Sequence, residues 1–336
     1  MVGQRFRAAA QGGVGHEHCA GVLLWAAAMS VSPHPTSQDP APRSIVTDPR
    51  RRPIGVFDSG VGGLTVLHEL LVALPSEDFL YLGDTARFPY GEREQQELEC
   101  FAIQMAEELL RRRAKLLVVA CNAATAAALP ALRRRMLETT LGVDVVGVVR
   151  PEALRAVAAT RTGRIGVLAT PTTIASGAYE EAVRAVDAHV TVHCVACPGL
   201  AAVIQDGREF DEDTVAIVRE VCAPLREAHV DVVVLGCTHY PLIGKMLQRM
   251  LGPDVTLVSS GAALARQVEH ALSTRGLLNP SDQEGDYRFL CTGDAAAFAA
   301  IGTRFLQMPL GPVEHVGVAQ LDVTGGSPTT GLRAHS

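Results

Sequence analysis

The chain has 336 residues, 48% hydrophobic and 20% charged, with a formal net charge of −6 at pH 7. Such a length suits about two domains, and the acidic balance excludes the broad basic surface of a nucleic-acid binder. No apolar run reaches the roughly 18–20 residues that span a bilayer, and eight scattered cysteines suit a cytoplasmic enzyme with reduced thiols better than a disulfide scaffold.

Residues 1–52 are rich in Pro, Gln, Ser and His. They are expected to form a disordered N-terminal extension, or to reflect a start codon misplaced upstream of Met29. The apolar stretch 20–28 behind Arg5 and Arg7 also admits a signal-peptide reading, although His16, Glu17 and His18 intervene. From Pro53 onward short β-branched runs alternate with amphipathic ones. Strands are expected at 54–57, 79–82, 116–120, 143–149, 164–168, 190–195, 232–235 and 255–258, with helices at 64–73, 92–113 and 211–229. Continuous apolar strands separated by helices predict an α/β fold with mainly parallel sheets covered on both faces. Residues 317–336, with their Gly-Gly-Ser-Pro run, are expected to be a flexible tail.

An internal echo runs through this pattern. Ile54-Gly-Val-Phe-Asp-Ser-Gly recurs in outline as Ile165-Gly-Val-Leu-Ala-Thr-Pro, and Leu116-Leu-Val-Val-Ala-Cys121-Asn122 recurs as Val232-Val-Val-Leu-Gly-Cys237-Thr238. Two similar α/β halves would each place one cysteine just past the carboxyl end of a buried strand, where ligands bind in open α/β sheets. If the halves face one another, both thiols face one cleft.

Opposed thiols on either side of a carbon can invert its configuration. One removes the proton as thiolate and the other returns a proton to the opposite face. Each sulfur must come to about 3–3.5 Å from the carbon, hence roughly 6–7 Å between sulfurs, too far for a disulfide. The chain has two lysines, Lys115 and Lys245, and neither lies in a motif. A pyridoxal-phosphate Schiff base is therefore not expected, and carbanion stabilisation falls to hydrogen-bond donors. Asp58-Ser59 follows the first strand and can hold a proton relay, while Thr238-His239 set a hydroxyl and an imidazole beside the second thiol. The amides of Gly60-Val-Gly62-Gly63 and of Pro89-Tyr90-Gly91 are candidates to receive carboxylates. The G-x-G-G pattern is not a dinucleotide fingerprint. Cys194-Val-Ala-Cys197 has the spacing of half a zinc site, but no second pair accompanies it, so it reads as structural. Cys100, Cys222, Cys291 and His68 read as packed or surface residues. His16-Glu17-His18-Cys19 would bind a metal only adventitiously, and no metal site is expected.

Four blocks carry a resemblance: Phe57-Asp-Ser-Gly-Val-Gly-Gly-Leu-Thr65, Gly83-Asp-Thr-x-Arg-x-Pro-Tyr-Gly91, Ala120-Cys-Asn122 and Leu235-Gly-Cys-Thr-His-Tyr-Pro-Leu242. In this order, and with Tyr179-Glu-Glu and Val258-Ser-Ser-Gly261, the chain from about Pro53 to His315 resembles the glutamate racemases of the aspartate/glutamate racemase family. The resemblance implies a cofactor-independent isomerase that interconverts L- and D-glutamate and supplies D-glutamate for peptidoglycan. It implies two similar α/β domains with the active site between them: 53–148 plus 259–316, and 149–258. It makes Cys121 and Cys237 the acid/base pair, with the first thiol serving D-glutamate and the second L-glutamate. Asp58 and His239 become auxiliary acid/base groups, and substrate contacts fall to Asp58, Ser59, Tyr90, Gly91, Asn122, Ala123, Thr238 and His239. A homodimer is implied, and a restraining contact with DNA gyrase is a further property of some members.

Two positions depart from the family. Ala123 stands where a Thr or Ser is usual, removing a hydroxyl donor, which is a loss of about 0.5–1.5 kcal/mol. Gln205 stands near a usually acidic position and cannot titrate. A racemase of another dicarboxylate such as aspartate, or a non-catalytic binding relative, therefore stays open beside the glutamate reading.

Overall fold

The computed structural model describes residues 48–139 and 142–317. The stretch 20–28, the cluster His16-Glu17-His18-Cys19 and the tail beyond residue 317 lie outside the described residues. Among the described residues there are ten strands: β1 (Ile54–Asp58), β2 (Phe79–Gly83), β3 (Leu116–Val119), β4 (Asp144–Gly147), β5 (Arg164–Ala169), β6 (Thr191–Ala196), β7 (Val232–Gly236), β8 (Thr256–Val258), β9 (Tyr287–Cys291) and β10 (Val313–His315). They form two sheets, in the orders β10-β9-β2-β1-β3-β4 and β6-β5-β7-β8, and every pairing is parallel.

The order β2-β1-β3-β4 of the larger sheet repeats as β6-β5-β7-β8 in the smaller one. Thus β1 corresponds to β5, and β3 to β7, the pairs that the sequence echo links. Strands β1, β2, β3 and β7 are buried along their whole length, as expected where helices cover both faces of a sheet. This is the α/β fold the patterning predicts.

Several boundaries differ from expectation, each for a local reason. The run 143–149 divides: β4 stops at Gly147, and Val149 already opens the helix Val149–Ala159. Pro151, with its fixed φ, suits the first turn of that helix. The run 92–113 begins as a 3-10 turn, Tyr90–Glu92, and becomes a helix only at Gln95–Arg111. Residues Arg113 and His229 close two helical segments with positive φ, at 67° and 52°. Strands β9 and β10 were not expected. β10 is a three-residue edge strand with exposed Glu314 and His315, and its single apolar residue, Val313, sets no period.

One buried ion pair anchors the start of β3. Lys115 Nζ lies 2.5 Å from Glu77 Oε2 and donates to the carbonyl of Leu277 at 2.9 Å. Among the described residues no helix is long and apolar enough to cross a membrane.

Candidate active site

Cys121 lies between the end of β3 and the helix Asn122–Thr139, and Cys237 directly follows β7. Both are free thiols, 5% and 8% exposed. They line one cavity with Ser59, Tyr90, Gly91, Asn122, Ala123, Thr238 and His239. Of the residues expected to touch substrate or serve the thiols, Asp58 stands back from it, fully buried at the end of β1, and the glycine turn 60–63 and Gln205 are also outside the lining. The cavity volume is about 20 Å³, enough for about one water.

Five further residues line the cavity: Phe88, Pro89, Thr170, Ala201 and Gly236. Thr170 carried a readable signal, because the echo sets it opposite Ser59. Pro89 and Gly236 lie in blocks the sequence already marks, and Phe88 and Ala201 had no signal.

Two glycines permit close approach across the site. A Cβ at Gly62 would collide with Thr238 Oγ1 and the His239 ring, and one at Gly91 would collide with Thr170. Tyr90 lines the cavity, but its hydroxyl is bonded to Asp84, which also accepts from Arg87 Nε at 2.6 Å and Thr292 Oγ1 at 2.7 Å. Tyr90 therefore presents its ring and backbone to the cavity, not its hydroxyl.

The glycine turn after β1 does receive a carboxylate, but an internal one. The Gly60 amide donates to Asp58 Oδ2 at 3.0 Å, and the Gly63 amide also bonds to this side chain. Thr238 Oγ1 donates to Asp58 Oδ1 at 3.4 Å. Burial outweighs these bonds and lifts the Asp58 pKa from 3.8 to about 6.

The thiols are pushed further. Burial, then the nearby Asp58 charge, raises Cys121 to about 12, against which the Ala124 amide donates to Sγ at 3.4 Å. That amide lies in the first turn of an 18-residue helix, whose partial positive end favours a thiolate. Burial also raises Cys237 well above its ordinary value, and the neighbouring Cys121 adds to the shift.

His239 is held between the rings of Phe88 and Phe305, with centroids at 5.5 and 5.1 Å. Burial there lowers its pKa to about 3, so it is a neutral imidazole. Its Nε2 faces Gln205 Oε1 at 3.2 Å and its Nδ1 faces Cys237 Sγ at 3.8 Å. With an amide oxygen accepting from Nε2–H, Nδ1 is left as the acceptor. Thr238 Oγ1 also lies 3.4 Å from Nδ1, but its single hydrogen is directed to Asp58. Nδ1 is thus free to accept from the Cys237 thiol.

Behind Asn122 lies a polar cluster that the sequence did not reveal as one. Glu152 is fully buried; it accepts from Ser260 Oγ at 2.6 Å, from Asn122 Nδ2 at 3.1 Å and from the Tyr179 hydroxyl. Asn122 Nδ2 also donates to the Tyr179 oxygen at 2.8 Å.

Cys194 lies within β6, and Cys197 is buried just beyond it. Among the described residues no group of three or more His, Cys, Asp or Glu could hold a metal ion. Cys100 is exposed, Cys222 and Cys291 are buried, and His68 Nδ1 contacts the Leu306 carbonyl at 2.9 Å.

Two free thiols at equivalent strand ends line one cavity, with a neutral imidazole in the same lining and the buried Asp58 carboxyl behind it. Residues 59–268 match the model of the Asp/Glu/hydantoin racemase family, and the chain belongs to that family. It is an amino-acid racemase, an isomerase. It is 40% identical to a glutamate racemase of Bacillus cereus over 79% of this chain and 97% of the relative, and 44% identical to one of Geobacter metallireducens over 78% and 96%. Among solved structures it resembles a glutamate racemase of Bacillus anthracis, with TM-score 0.74 and 39% identity over 80% of this chain and 98% of the other. It also resembles the enzyme of Francisella tularensis in complex with D-glutamate, with TM-score 0.74 and 31% identity over 82% and 99%.

Proposed function

We propose that this racemase interconverts L- and D-glutamate without a cofactor, using Cys121 and Cys237 as its two acid/base groups, and supplies D-glutamate for peptidoglycan from the cytoplasm. The observation that carries the reading is the pair of buried free thiols just past the ends of corresponding strands, β3 and β7, lining one cavity. The glutamate racemases at 40 and 44% identity support the choice of substrate.

In the unliganded protein both groups are thiols. A bound α-ammonium lowers the cost of a thiolate by placing positive charge beside it. Cys121 then gives its proton to Asp58, and the thiolate takes the α-proton of D-glutamate. The carbanion is held by donors at the α-carboxylate, among them the Ser59 hydroxyl and, released once Asp58 has taken the Cys121 proton, the Thr238 hydroxyl. The Cys237 thiol returns a proton to the opposite face, and His239 Nδ1 serves that sulfur when the reaction runs from L-glutamate. Gly91, Ala123 and the Tyr90 backbone shape the remainder of the pocket. The same reading divides the chain into domains 53–148 plus 259–316 and 149–258, and carries a homodimer. A contact with DNA gyrase belongs to it only as a further property to be tested by binding.

The test is proton exchange. Protein incubated with D-glutamate in D₂O is expected to lose both the α-proton signal and the optical activity, and Cys121→Ser and Cys237→Ser are expected to stop racemisation. Exchange with aspartate and not with glutamate would move the reading to the other dicarboxylate. No exchange with either would make the chain a binding relative.

A further inference from the structure

Asn122 is 2% exposed and lines the cavity, and its Oδ1 is buried with nothing to accept from. Both hydrogens of its amide nitrogen are directed away from that oxygen, one to Glu152 Oε2 and one to the Tyr179 hydroxyl. An amide can be turned end for end, so something must decide which end faces the substrate. A carboxylate decides it, because an ionised carboxylate only accepts. Glu152 takes three donors, Ser260 Oγ, the Tyr179 hydroxyl and Asn122 Nδ2, and in that state offers none in return. Turning Asn122 over would set Oδ1 against Glu152 and leave a buried acceptor facing a buried anion, which is costly.

We infer that Glu152 is a positioning residue for substrate: it fixes the Asn122 amide so that Oδ1 faces the cavity as an acceptor for the substrate's α-ammonium. Burial raises the Glu152 pKa from 4.5 to about 7 against the pull of its three donors, and above that pH its negative charge behind the amide adds to the attraction. The inference rests on the proposed function, since it requires an amino-acid substrate in this cavity. Glu152 also joins the helix Val149–Ala159 to Ser260, the residue preceding the helix Gly261–Thr274. A purely structural role is therefore the alternative that the experiment must separate.

The separating ligand is glutarate, which keeps both carboxylates of glutamate and lacks the ammonium. Dissociation constants for glutamate and glutarate are measured by calorimetry on the full chain and on two variants. Glu152→Met removes the acceptor with a side chain of similar length, and replacing a buried charge by an apolar group is often tolerated by the fold. It is expected to weaken glutamate about tenfold or more, the scale of a hydrogen bond to a charged group, while glutarate binds as before or tighter. Glu152→Gln keeps one acceptor and should fall between. Equal weakening of both ligands, or no change in either, overturns the inference.

A charge exchange gives a second reading that does not depend on the Met variant. Asn122→Asp alone sets two carboxylates against each other and should lose glutamate binding. Asn122→Asp combined with Glu152→Gln should regain it, because the new amide donates to Asp and leaves the other carboxylate oxygen for the ammonium. Failure to regain binding also overturns the inference. Wild-type protein that binds no glutamate overturns the substrate reading itself, and a wild type that binds glutamate normally while the variants miss these outcomes overturns the role of Glu152 alone.

Discussion

The two thiols occupy equivalent strand ends, yet their surroundings differ in kind. Cys121 meets an 18-residue helix head-on and takes a hydrogen bond from the Ala124 amide, and the Asp58 charge, which also reaches Cys237, is the main influence on it after burial. Cys237 is followed by a 3-10 turn, Tyr240–Ile243, and its partner is the neutral His239 pressed between two phenyl rings. One half offers a helix end and an acid that ionises near neutrality; the other offers a base kept uncharged by burial. Duplication of the strand order sets where the thiols stand, and the turn after each strand sets how each is served.

The energies of two enantiomers are equal, so any variant must change kcat/KM by the same factor in both directions. Asymmetry between the halves appears instead in which proton transfer limits the rate. The largest effect is expected from the thiols. Cys121→Ser and Cys237→Ser should each lower racemisation by about 10²–10⁴-fold, the usual weight of a positioned acid or base. Under the proposed assignment, Cys237→Ser, with Cys121 intact, should still exchange the α-proton of D-glutamate with D₂O faster than it racemises. Cys121→Ser should do so with L-glutamate. Exchange of the opposite enantiomer in each variant would reverse the assignment of the two halves.

Asp58→Asn should come next, at about 10²-fold, and should make the Cys121 transfer limiting. A primary isotope effect should then grow with 2-deuterated D-glutamate and shrink with the L form. Wild-type activity should fall as pH drops through about 6, where Asp58 becomes protonated, and the Asn variant should lack that limb. Stability runs the other way. Burial raises this acid from 3.8 to about 6, so its protonated form stabilises the fold below pH about 4, and that contribution of about 3 kcal/mol is lost as pH rises through 6. Denaturant titrations of wild type and Asp58→Asn across this window would read the difference.

Gly62→Ala acts on the other half. The added Cβ collides with Thr238 and His239, with an overpacking cost of about 1–3 kcal/mol. We expect about a tenfold loss of kcat/KM, and the isotope effect should now grow with 2-deuterated L-glutamate. Growth with the D form would mean that the displacement reaches Cys121, and that the two sites do not respond separately.

Much of this contrast was legible in the sequence. Continuous apolar runs gave the buried parallel strands, and the echo placed Cys121 and Cys237 on corresponding ones. The residues beside each thiol, Asp58-Ser59 and Thr238-His239, were adjacent in sequence to recognisable strand ends. What escaped was assembled from distant segments. Glu152, Tyr179 and Ser260 lie on three elements and become one cluster only after folding, and nothing in the local pattern of Arg150-Pro-Glu152 marks a buried acid. Strand β10 was invisible because one apolar residue, Val313, in a three-residue edge strand sets no period. The amides of the glycine turn were read as a seat for substrate, whereas Asp58 occupies the amides of Gly60 and Gly63. That outcome depends on a side chain folding back two residues, which composition and periodicity do not encode.

The smallest effect, and the finest probe of the second half, is Gln205→Glu. At present an amide oxygen faces His239 Nε2 at 3.2 Å and can accept a hydrogen bond without offering a charge. A carboxylate in the same place would favour the imidazolium and raise the His239 pKa from its burial-lowered value of about 3. His239 would then hold the Cys237 proton more readily, and removal of the α-proton from L-glutamate would be less costly. One pKa unit corresponds to about 1.4 kcal/mol, at most tenfold in rate. The gain appears in kcat/KM only where the Cys237 transfer limits, so it should be largest in the Gly62→Ala background and small where the Cys121 transfer limits, as in Asp58→Asn. A gain of equal size in both backgrounds would mean that Gln205 acts on the pocket as a whole, and that His239 does not serve Cys237 in particular.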